Sequence, residues 1–271
     1  MASLLALLWS LCRARSTMVA GRELFLFATG AFAGIRLSTS SRLQQTPHDD
    51  EEESSAAAAV PEERDAGVAA RMAETVAAAT SLEPGVGGWE KWGRRNDVEI
   101  YLKTDAKTGI KNSVGVGAVA APAVVVANAV ESEPCKALYD KQWKRTTLWR
   151  ECDKQALQLA LSAPDLRVES FVIRRDEYHA VFPATARDCV VSYCRVSRVS
   201  DGAVILALNS IRREDDARAH AHASSDRNYV RMHVTAGAYV CRPTSKETPE
   251  IPSLVDLDPR GAVPPPVLNF V

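Results

Sequence analysis

A glycine motif is the first candidate for a chemical site in this sequence of 271 residues. Gly115, Gly117 and Ala120 follow the G-x-G-x-x-A pattern, between a strand-like stretch and a helix-like one. Such a turn binds a pyrophosphate through backbone N–H groups at the start of a helix. Pro122 would remove one of these N–H groups, and the chain lacks the alternating strand and helix pattern that accompanies this motif. A nucleotide-cofactor enzyme that uses Gly115–Ala120 is therefore kept as an alternative function.

A histidine pair is the second candidate for chemistry. His220 and His222 lie close to Asp215, Asp216 and Asp226 in sequence, and imidazole and carboxylate groups both bind metal ions. The polar stretch around them is typical of a solvated loop, so we predict no metal and no cofactor. The Gly-x-Ser-x-Gly pattern of a nucleophile elbow is missing from the sequence. We therefore predict that the protein is not an enzyme and has no catalytic residue.

Arg187 and Asp188 form an adjacent pair of opposite charges just before the strand-like stretch Cys189–Val199. Such a pair could be mistaken for catalytic residues. We predict a structural role instead, as an ion pair or turn clamp that orients the start of a central strand.

Composition and charge narrow the class of protein. Hydrophobic residues make up 46% of the chain and charged residues 25%, which is typical of a globular protein. The formal net charge is -1 and the basic residues are scattered, so we predict no nucleic-acid partner. The six cysteines form no C-x-x-C pair, which indicates reduced thiols in an intracellular compartment. The oligomeric state stays open.

Composition divides the chain into three parts. Residues 1–48 are rich in Arg and Ser with one acidic residue, which is typical of a mitochondrial or plastid targeting segment; a cytoplasmic or membrane-associated protein is the alternative. Residues 49–81 form an acidic and Ala-rich linker that ends in a helical pattern. Val68, Met72 and Val76 recur at helical spacing there, either in an amphipathic helix that packs on a fold or in a free linker helix. Residues 82–271 form the main domain.

The main domain has the pattern of an antiparallel sheet. Val98, Ile100 and Leu102 alternate with polar residues, and Pro122 opens a short helix that runs to Val130. Asp201-Gly202 between two strand-like stretches predicts a tight hairpin. The other predicted strands are Val168–Ile173, Tyr178–Phe182, Cys189–Val199, Ala203–Ile211, Tyr229–Thr235 and Ala238–Arg242. Successive strands with few helices predict an α+β fold.

Four blocks of this domain resemble the steroidogenic-acute-regulatory-related lipid-transfer (START) family. Trp89–Lys103 resembles the family's opening passage from helix to strand, and Pro122–Lys144 resembles its first internal helix and the stretch that follows. Phe182–Val191 is similar to the Pro-x-x-x-Arg-Asp start of a central strand. Val230–Pro243, followed by Asp258–Asn269, resembles the family's late V-R and G-Y-x-x-R-P motifs. The order of the blocks, over residues 82–271, carries the resemblance.

The resemblance implies a helix-grip fold, in which a curved antiparallel sheet and a C-terminal helix enclose a hydrophobic tunnel, with N-terminal and internal helices. It implies a phospholipid, sterol or related lipid as ligand, for transfer or sensing, and transient membrane contact. The sequence leaves open which face of the sheet lines the tunnel. The candidate lipid-binding residues, taken from the strand alternation, are Val191, Tyr193, Arg195, Val204, Leu206, Val230, Met232 and Tyr239.

Two departures from the family pattern shape the remaining expectations. Some sterol-binding members have an Arg five positions after the Asp of the Arg-Asp pair, where this sequence has Tyr193; Arg195 shares its face and could replace that Arg. The sequence ends at Val271, soon after Asn269, so the C-terminal lid helix is predicted to be largely missing. A degenerate START module that acts as a protein-docking domain is therefore a second alternative function.

Overall fold

The computed structural model describes residues 61–83, 85–95, 97–106, 109–180, 185–212, 229–243 and 250–258. Of residues 61–64, and of residues 250–258 apart from Ser253, it describes only the backbone. The predicted targeting segment, the acidic stretch 49–60, the loop with His220 and His222, and the C-terminal lid lie outside the described residues and stay predictions.

Four helices and ten strands form the described part of the chain. The helices are α1 (Pro61–Thr80), α2 (Ala123–Glu131), α3 (Glu133–Tyr139) and α4 (Lys154–Leu161). The strands are β1 (Glu90–Arg95), β2 (Val98–Thr104), β3 (Lys111–Ala118), β4 (Trp143–Glu151), β5 (Leu166–Tyr178), β6 (Arg187–Arg198), β7 (Val204–Ser210), β8 (Val230–Arg231), β9 (His233–Cys241) and β10 (Glu250–Asp258).

The strands pair into one sheet in the order β1-β2-β3-β10-β9-β7-β6-β5-β4. Every pair along this path is antiparallel, and the short β8 adds a parallel pair to β6 at Arg187 and Asp188. The helices lie against this sheet and do not alternate with its strands. The predicted α+β class with an antiparallel sheet is confirmed.

The β6–β7 hairpin forms where the sequence predicted it. Gly202 has φ +71°, a backbone conformation that L side chains rarely adopt. The side chain of Arg198 donates two hydrogen bonds to the Asp201 carboxylate, at 2.8 and 2.6 Å, and the Ala203 N–H donates a third at 3.0 Å. The Asp-Gly pair therefore closes the turn with both a permissive backbone and a local charge pair.

Antiparallel pairing places directly opposed residues on the same side of the sheet. One such row crosses seven strands, through Tyr101, Val114, Leu254, Ala238, Ala207, Cys194 and Phe171. This side, called the α1 face below, packs against α1 and α4, with Met72, Val76 and Leu157 fully buried. The result is the main hydrophobic core of the described residues.

A buried polar network fixes α1 on this core. The side-chain amide of Asn209 in β7 donates to the Thr75 hydroxyl at 2.8 Å and to the Arg71 carbonyl at 3.2 Å, and its oxygen accepts a hydrogen bond from the Ser192 hydroxyl. The helix therefore belongs to the same core as the sheet, although the sequence placed it before the domain boundary at residue 82. The packed amphipathic helix is the correct one of the two predicted alternatives.

The opposite side of the sheet, called the α2 face below, packs against α2. Ala123, Val126, Ala127 and Val130 of this helix are buried on the sheet. Pro122 has φ -57° just before the first turn, as the sequence predicted. Helix α3 follows at once, and the hydroxyl of its last residue, Tyr139, donates to the Val130 carbonyl at 2.7 Å, which ties α3 to α2.

Several elements differ from the sequence prediction. Glu90–Arg95, expected within a passage from helix to strand, is strand β1 and pairs with β2. Strand β5 is continuous from Leu166 to Tyr178, where the sequence predicted a break before Tyr178, and β9 is continuous where a break was predicted near Gly237. Strands β4 and β10 and helix α4 were missed. Strands β1 and β4 are the two ends of the sheet, so neither needs the apolar alternation by which a half-buried strand is predicted.

Candidate functional site

The α2 face carries a row of residues that differs in character from the core row on the other side. Pairing places Ile100, Gly115, Ser253, Tyr239, Leu206 and Arg195 in line across six strands. Gly115 and Ser253 supply little or no side chain between Ile100 and Tyr239. This row therefore has bulky residues on both sides, Ile100 on one and Tyr239, Leu206 and Arg195 on the other, with small residues in the middle.

Most of the predicted lipid-binding residues lie on the α2 face. Val191, Tyr193 and Arg195 of β6 share it with Val204 and Leu206 of β7 and with Tyr239 of β9. Tyr193, Val204 and Leu206 pack against α2. Met232 packs beside Val191, and Val230 lies on the short strand β8. The structure thus places Tyr193, Val204, Leu206 and Tyr239 beneath α2, and Val191 and Met232 in a separate cluster on the sheet. The ligand-binding role of these residues stays a prediction.

A first polar cluster on this face holds α2 to the sheet. The Arg195 guanidinium forms ion pairs with Glu131 of α2 and with Glu169 of β5, the latter at 2.6 Å, and donates to Asn128 at 2.8 Å. The Tyr193 hydroxyl donates to Glu131 at 2.8 Å. The charge of Arg195 is therefore more than matched by two carboxylates of the protein itself.

A second polar cluster, which the sequence did not reveal, lies next to the first. Asp176 and Arg174 of β5 both face α2 and α3, since they pair with Cys189 and Val191. Asp176 is 3.2 Å from Arg174 Nη2 and 3.6 Å from Lys136 Nζ of α3, and it accepts a hydrogen bond from Thr146. Arg174, Lys136 and Asp176 are called the cationic cluster below.

The cationic cluster is held by aromatic rings as well as by charge. The Arg174 guanidinium carbon lies 3.9 Å from the centre of the Tyr193 ring, within the range of a cation–π contact. Lys136 Nζ lies 5.2 Å from the centre of the Trp143 ring. Arg174 Nε is buried and has no hydrogen-bond partner. The Arg174 guanidinium is therefore held in a fixed place while its Nε–H has no hydrogen-bond acceptor.

Burial and neighbouring charges shift the pKa values of Lys136 and Asp176 in opposite directions. Burial lowers the pKa of Lys136 and outweighs the nearby Asp176 charge. Burial would raise the pKa of Asp176, but the charges of Arg174 and Lys136 outweigh it and hold that pKa below its usual range. Burial also raises the pKa of the Cys189 thiol to about 12 and that of the Tyr193 hydroxyl well above its usual value. Cys189 and Tyr193 are therefore neutral at physiological pH.

Asp188, the second member of the predicted Arg-Asp pair, has other partners than its neighbour in sequence. Its buried carboxylate accepts from Arg175 Nε at 2.8 Å and from Arg231 Nε and Nη2 at 2.7 and 3.0 Å. Arg187 donates to the Thr185 carbonyl at 2.8 Å. Asp188 therefore joins β5, β6 and β8, a structural role that needs two arginines far away in sequence.

The glycine motif does not form a nucleotide site. Gly115 and Gly117 lie inside β3, which pairs with antiparallel strands on both of its edges. A dinucleotide-binding turn requires these glycines in a loop between a parallel strand and a helix. A Cβ on Gly117 would lie 3.1 Å from Val98 Cγ2, so this glycine permits close packing of β3 and β2. The alternative of a nucleotide-cofactor enzyme at Gly115–Ala120 is therefore wrong.

Two further classes of site are absent from the described part of the chain. Groups of three or more His, Cys, Asp or Glu side chains that could hold a metal ion do not occur there. Within the same residues, no helix is both long and apolar enough to cross a membrane.

Solved structures with a similar fold are START-related domains. Human StAR-related lipid transfer protein 5 matches with a TM-score of 0.60 at 14% identity, over 75% of this chain and 88% of that chain. Human STARD10 matches with a TM-score of 0.54 at 13% identity, over 72% and 70%. A STAR-related lipid transfer protein fragment from Xanthomonas axonopodis matches with a TM-score of 0.51 at 14% identity, over 67% and 88%. No family model and no curated protein matches the sequence.

These likenesses, together with the antiparallel sheet and its four helices, define an α+β protein of the helix-grip class. The chain has a START-like fold, as its motifs indicated. At these identities the likeness concerns the fold.

Proposed function

We propose that the protein binds a lipid on the α2 face and either carries it between membranes or senses it. The observation that carries this proposal is the START-like fold, because similar solved structures from human and Xanthomonas axonopodis are named as lipid transfer proteins. Such a protein can hold a lipid that is poorly soluble in water, because each CH₂ group removed from water contributes about 0.8 kcal/mol to the free energy of binding.

The α2 face is the better candidate of the two faces of the sheet. The α1 face is covered by the buried side chains of α1, α4 and the core row. The α2 face combines apolar residues with the small residues Gly115 and Ser253 and with buried charges. A ligand with an apolar chain and a polar head needs this combination.

Native mass spectrometry of the full chain purified from cells tests the proposal. We expect a lipid to remain bound in a one-to-one complex and to appear in an organic extract of the protein. A chain that carries no lipid, and that takes none up from vesicles of mixed phospholipid and sterol, would rule out the proposal and favour the protein-docking alternative.

Transient membrane contact is part of the same proposal, and α2 and α3 are the elements that support it. Val124 and Val125 of α2 and Leu138 of α3 are about half exposed, on helices that cover the α2 face. Exposed apolar side chains beside a lipid site are suited to insert briefly into a bilayer surface.

Residues 1–48 are proposed to direct the protein to a mitochondrion or plastid, on the Arg-rich and acid-poor composition alone. A fusion of these residues to a fluorescent protein is expected to accumulate in the organelle. Diffuse cytoplasmic fluorescence of the fusion would refute this part of the proposal.

A further inference from the structure

We propose that the ligand is an anionic lipid, and that its phosphate or carboxylate headgroup binds Arg174 and Lys136 of the cationic cluster. This inference rests on the proposed lipid-binding function and specifies the chemistry of the ligand. It is carried by the charge balance of the cluster and by an unsatisfied buried donor.

The charge balance of the cluster leaves a surplus of one positive charge. Arg174 and Lys136 are both within 4 Å of Asp176, and Asp176 is the single carboxylate among the described residues that forms an ion pair with either of them. Asp140 also acts on Lys136, but more weakly, and its Oδ1 accepts from the Gln142 and Trp143 N–H groups. Buried cations without matching carboxylates are suited to an incoming anion.

The thiol and the tyrosine hydroxyls next to the cluster do not supply the missing negative charge. Cys189 faces the cluster, and burial raises the pKa of its thiol to about 12. Tyr193, Tyr139 and Tyr178 also act on the cluster, and burial raises the pKa of each hydroxyl above its usual value. All four side chains are neutral at physiological pH, so they leave the surplus positive charge in place.

The geometry of Arg174 prepares it to bind an oxyanion. Its guanidinium stacks on Tyr193, whose hydroxyl is held by Glu131, and its Nη2 faces Asp176. The buried Nε has no acceptor. A guanidinium presents its N–H groups in a fixed fork that matches phosphate and carboxylate oxygens. The side chains of Arg174 and Lys136 keep 16% and 13% of their surface exposed, so the site is not fully closed.

Arg195, the cation that the sequence favoured on this face, is less suited to this role. Glu131 and Glu169 both pair with its guanidinium, and Asn128 accepts a further hydrogen bond from it. Two carboxylates already neutralise Arg195, and an anion placed there would meet their charges. The headgroup site is therefore assigned to Arg174 and Lys136.

Competitive uptake from vesicles tests the inference. The full chain is incubated with vesicles that contain equal amounts of phosphatidylcholine, phosphatidylglycerol, oleic acid and cholesterol, and the lipid bound to the reisolated protein is quantified. We expect phosphatidylglycerol or oleic acid to dominate the bound lipid. Which of the two dominates distinguishes a phosphate from a carboxylate headgroup.

Arg174→Gln and Lys136→Gln should each reduce the uptake of the anionic lipid about ten- to hundredfold, the range expected for a lost charged hydrogen bond. Arg167→Gln, on the same strand but exposed, is the matched control and should leave uptake unchanged.

Each outcome separates this inference from the proposed function. Equal uptake of neutral and anionic lipids by the native chain overturns the anionic headgroup and leaves lipid binding standing, even when a variant fails to fold. Anionic preference that Arg174→Gln and Lys136→Gln both retain overturns the assigned residues. An absence of any bound lipid refutes the proposed function as well.

Discussion

Asp176 and Asp188 are carboxylates buried in the sheet, and each is surrounded by cations from more than one strand or helix. Asp176 pairs with Arg174 and Lys136, and Asp188 binds Arg175 and Arg231. Burying an ion is costly unless its partners remain in place, so removal of one partner leaves the others uncompensated. At the scale of single residues, these carboxylates should therefore be among the most sensitive positions of the protein.

Asp188→Asn should lower the free energy of unfolding by about 3–5 kcal/mol, because Arg231 and Arg175 would both lose a buried counter-charge that they share. Urea unfolding at neutral pH measures the change. Asp201→Asn is the control, since its pair with Arg198 lies in an exposed turn and should contribute no more than about 1 kcal/mol. Equal effects of the two substitutions would show that burial does not decide the strength of these pairs.

The stability contributed by Asp176 should depend on pH in a defined direction. Its pKa in the folded state lies below the ordinary value of 3.8. Its contribution is therefore fully present above pH 3.8 and is lost as the pH falls through the lower folded-state pKa. The difference in urea midpoint between the native chain and Asp176→Asn should stay constant from neutral pH down to about 4 and then shrink. A difference that grows on acidification would contradict the assigned partners.

Sequence alone named apolar residues that share the α2 face, and Arg195, but missed the charges of the cationic cluster. Alternation places Val191 and Tyr193 on one face of β6, but their partners Arg174 and Val172 are set by the register of β5 and β6. Arg174 and Asp176 do alternate within the apolar pattern of β5, which was a signal for a polar site. Lys136 joins them only because α3 folds back over the sheet, a contact between residues about 40 apart that no local pattern encodes.

At the scale of elements, α1 is the helix on which the main core depends. Met72→Ala should lower the free energy of unfolding by about 2–5 kcal/mol, because the fully buried side chain would leave a cavity between α1 and the sheet. Glu74→Ala, two residues along the same helix but exposed, should change it by less than about 0.5 kcal/mol. Chemical denaturation compares the two variants. Similar small losses from both would mean that α1 does not belong to the core.

The outer surface of α2 is expected to control transfer and not binding. Val124→Asp and Val125→Asp place acids in the first turn of the helix, where the helix dipole tolerates them. Lipid transfer between vesicles should slow by about tenfold, the effect of about 1.4 kcal/mol of lost apolar contact. The amount of lipid bound at equilibrium should not change. Leu159→Asp on α4, exposed and on the other side of the sheet, is the control; equal slowing by that variant would contradict the proposed membrane contact.

The elements that sequence predicted best are interior strands with a strong apolar pattern. Strand β2 alternates between buried and half-buried residues, β6 and β7 are buried on both faces, and Asp201-Gly202 marks the turn between those two. Strands β1 and β4 escaped prediction because edge strands bury less, as the exposed Trp92 and Leu148 illustrate. Strand β10 was missed because Pro252 argues against a strand inside a sheet, although it pairs there with β3.

At the scale of the molecule, one sheet separates a filled core from a face with mixed chemistry. The α1 face carries the main apolar core, with the Asn209 network and the Asp188 ion pairs beside it, whereas the α2 face places charges and small residues beneath α2 and α3. Features that reduce stability tend to persist where they serve function. We therefore propose that the α2 face binds the ligand and that the α1 face holds the fold together.

Photo-crosslinking with a lipid that carries a diazirine in its acyl chain tests this claim most directly. After uptake and irradiation, peptide mapping by mass spectrometry locates the adducts. We expect adducts on α2-face residues such as Val191, Tyr193 and Tyr239. Adducts confined to the α1 face, for example at Met72 or Val196, or to exposed apolar positions such as Leu159, would contradict it.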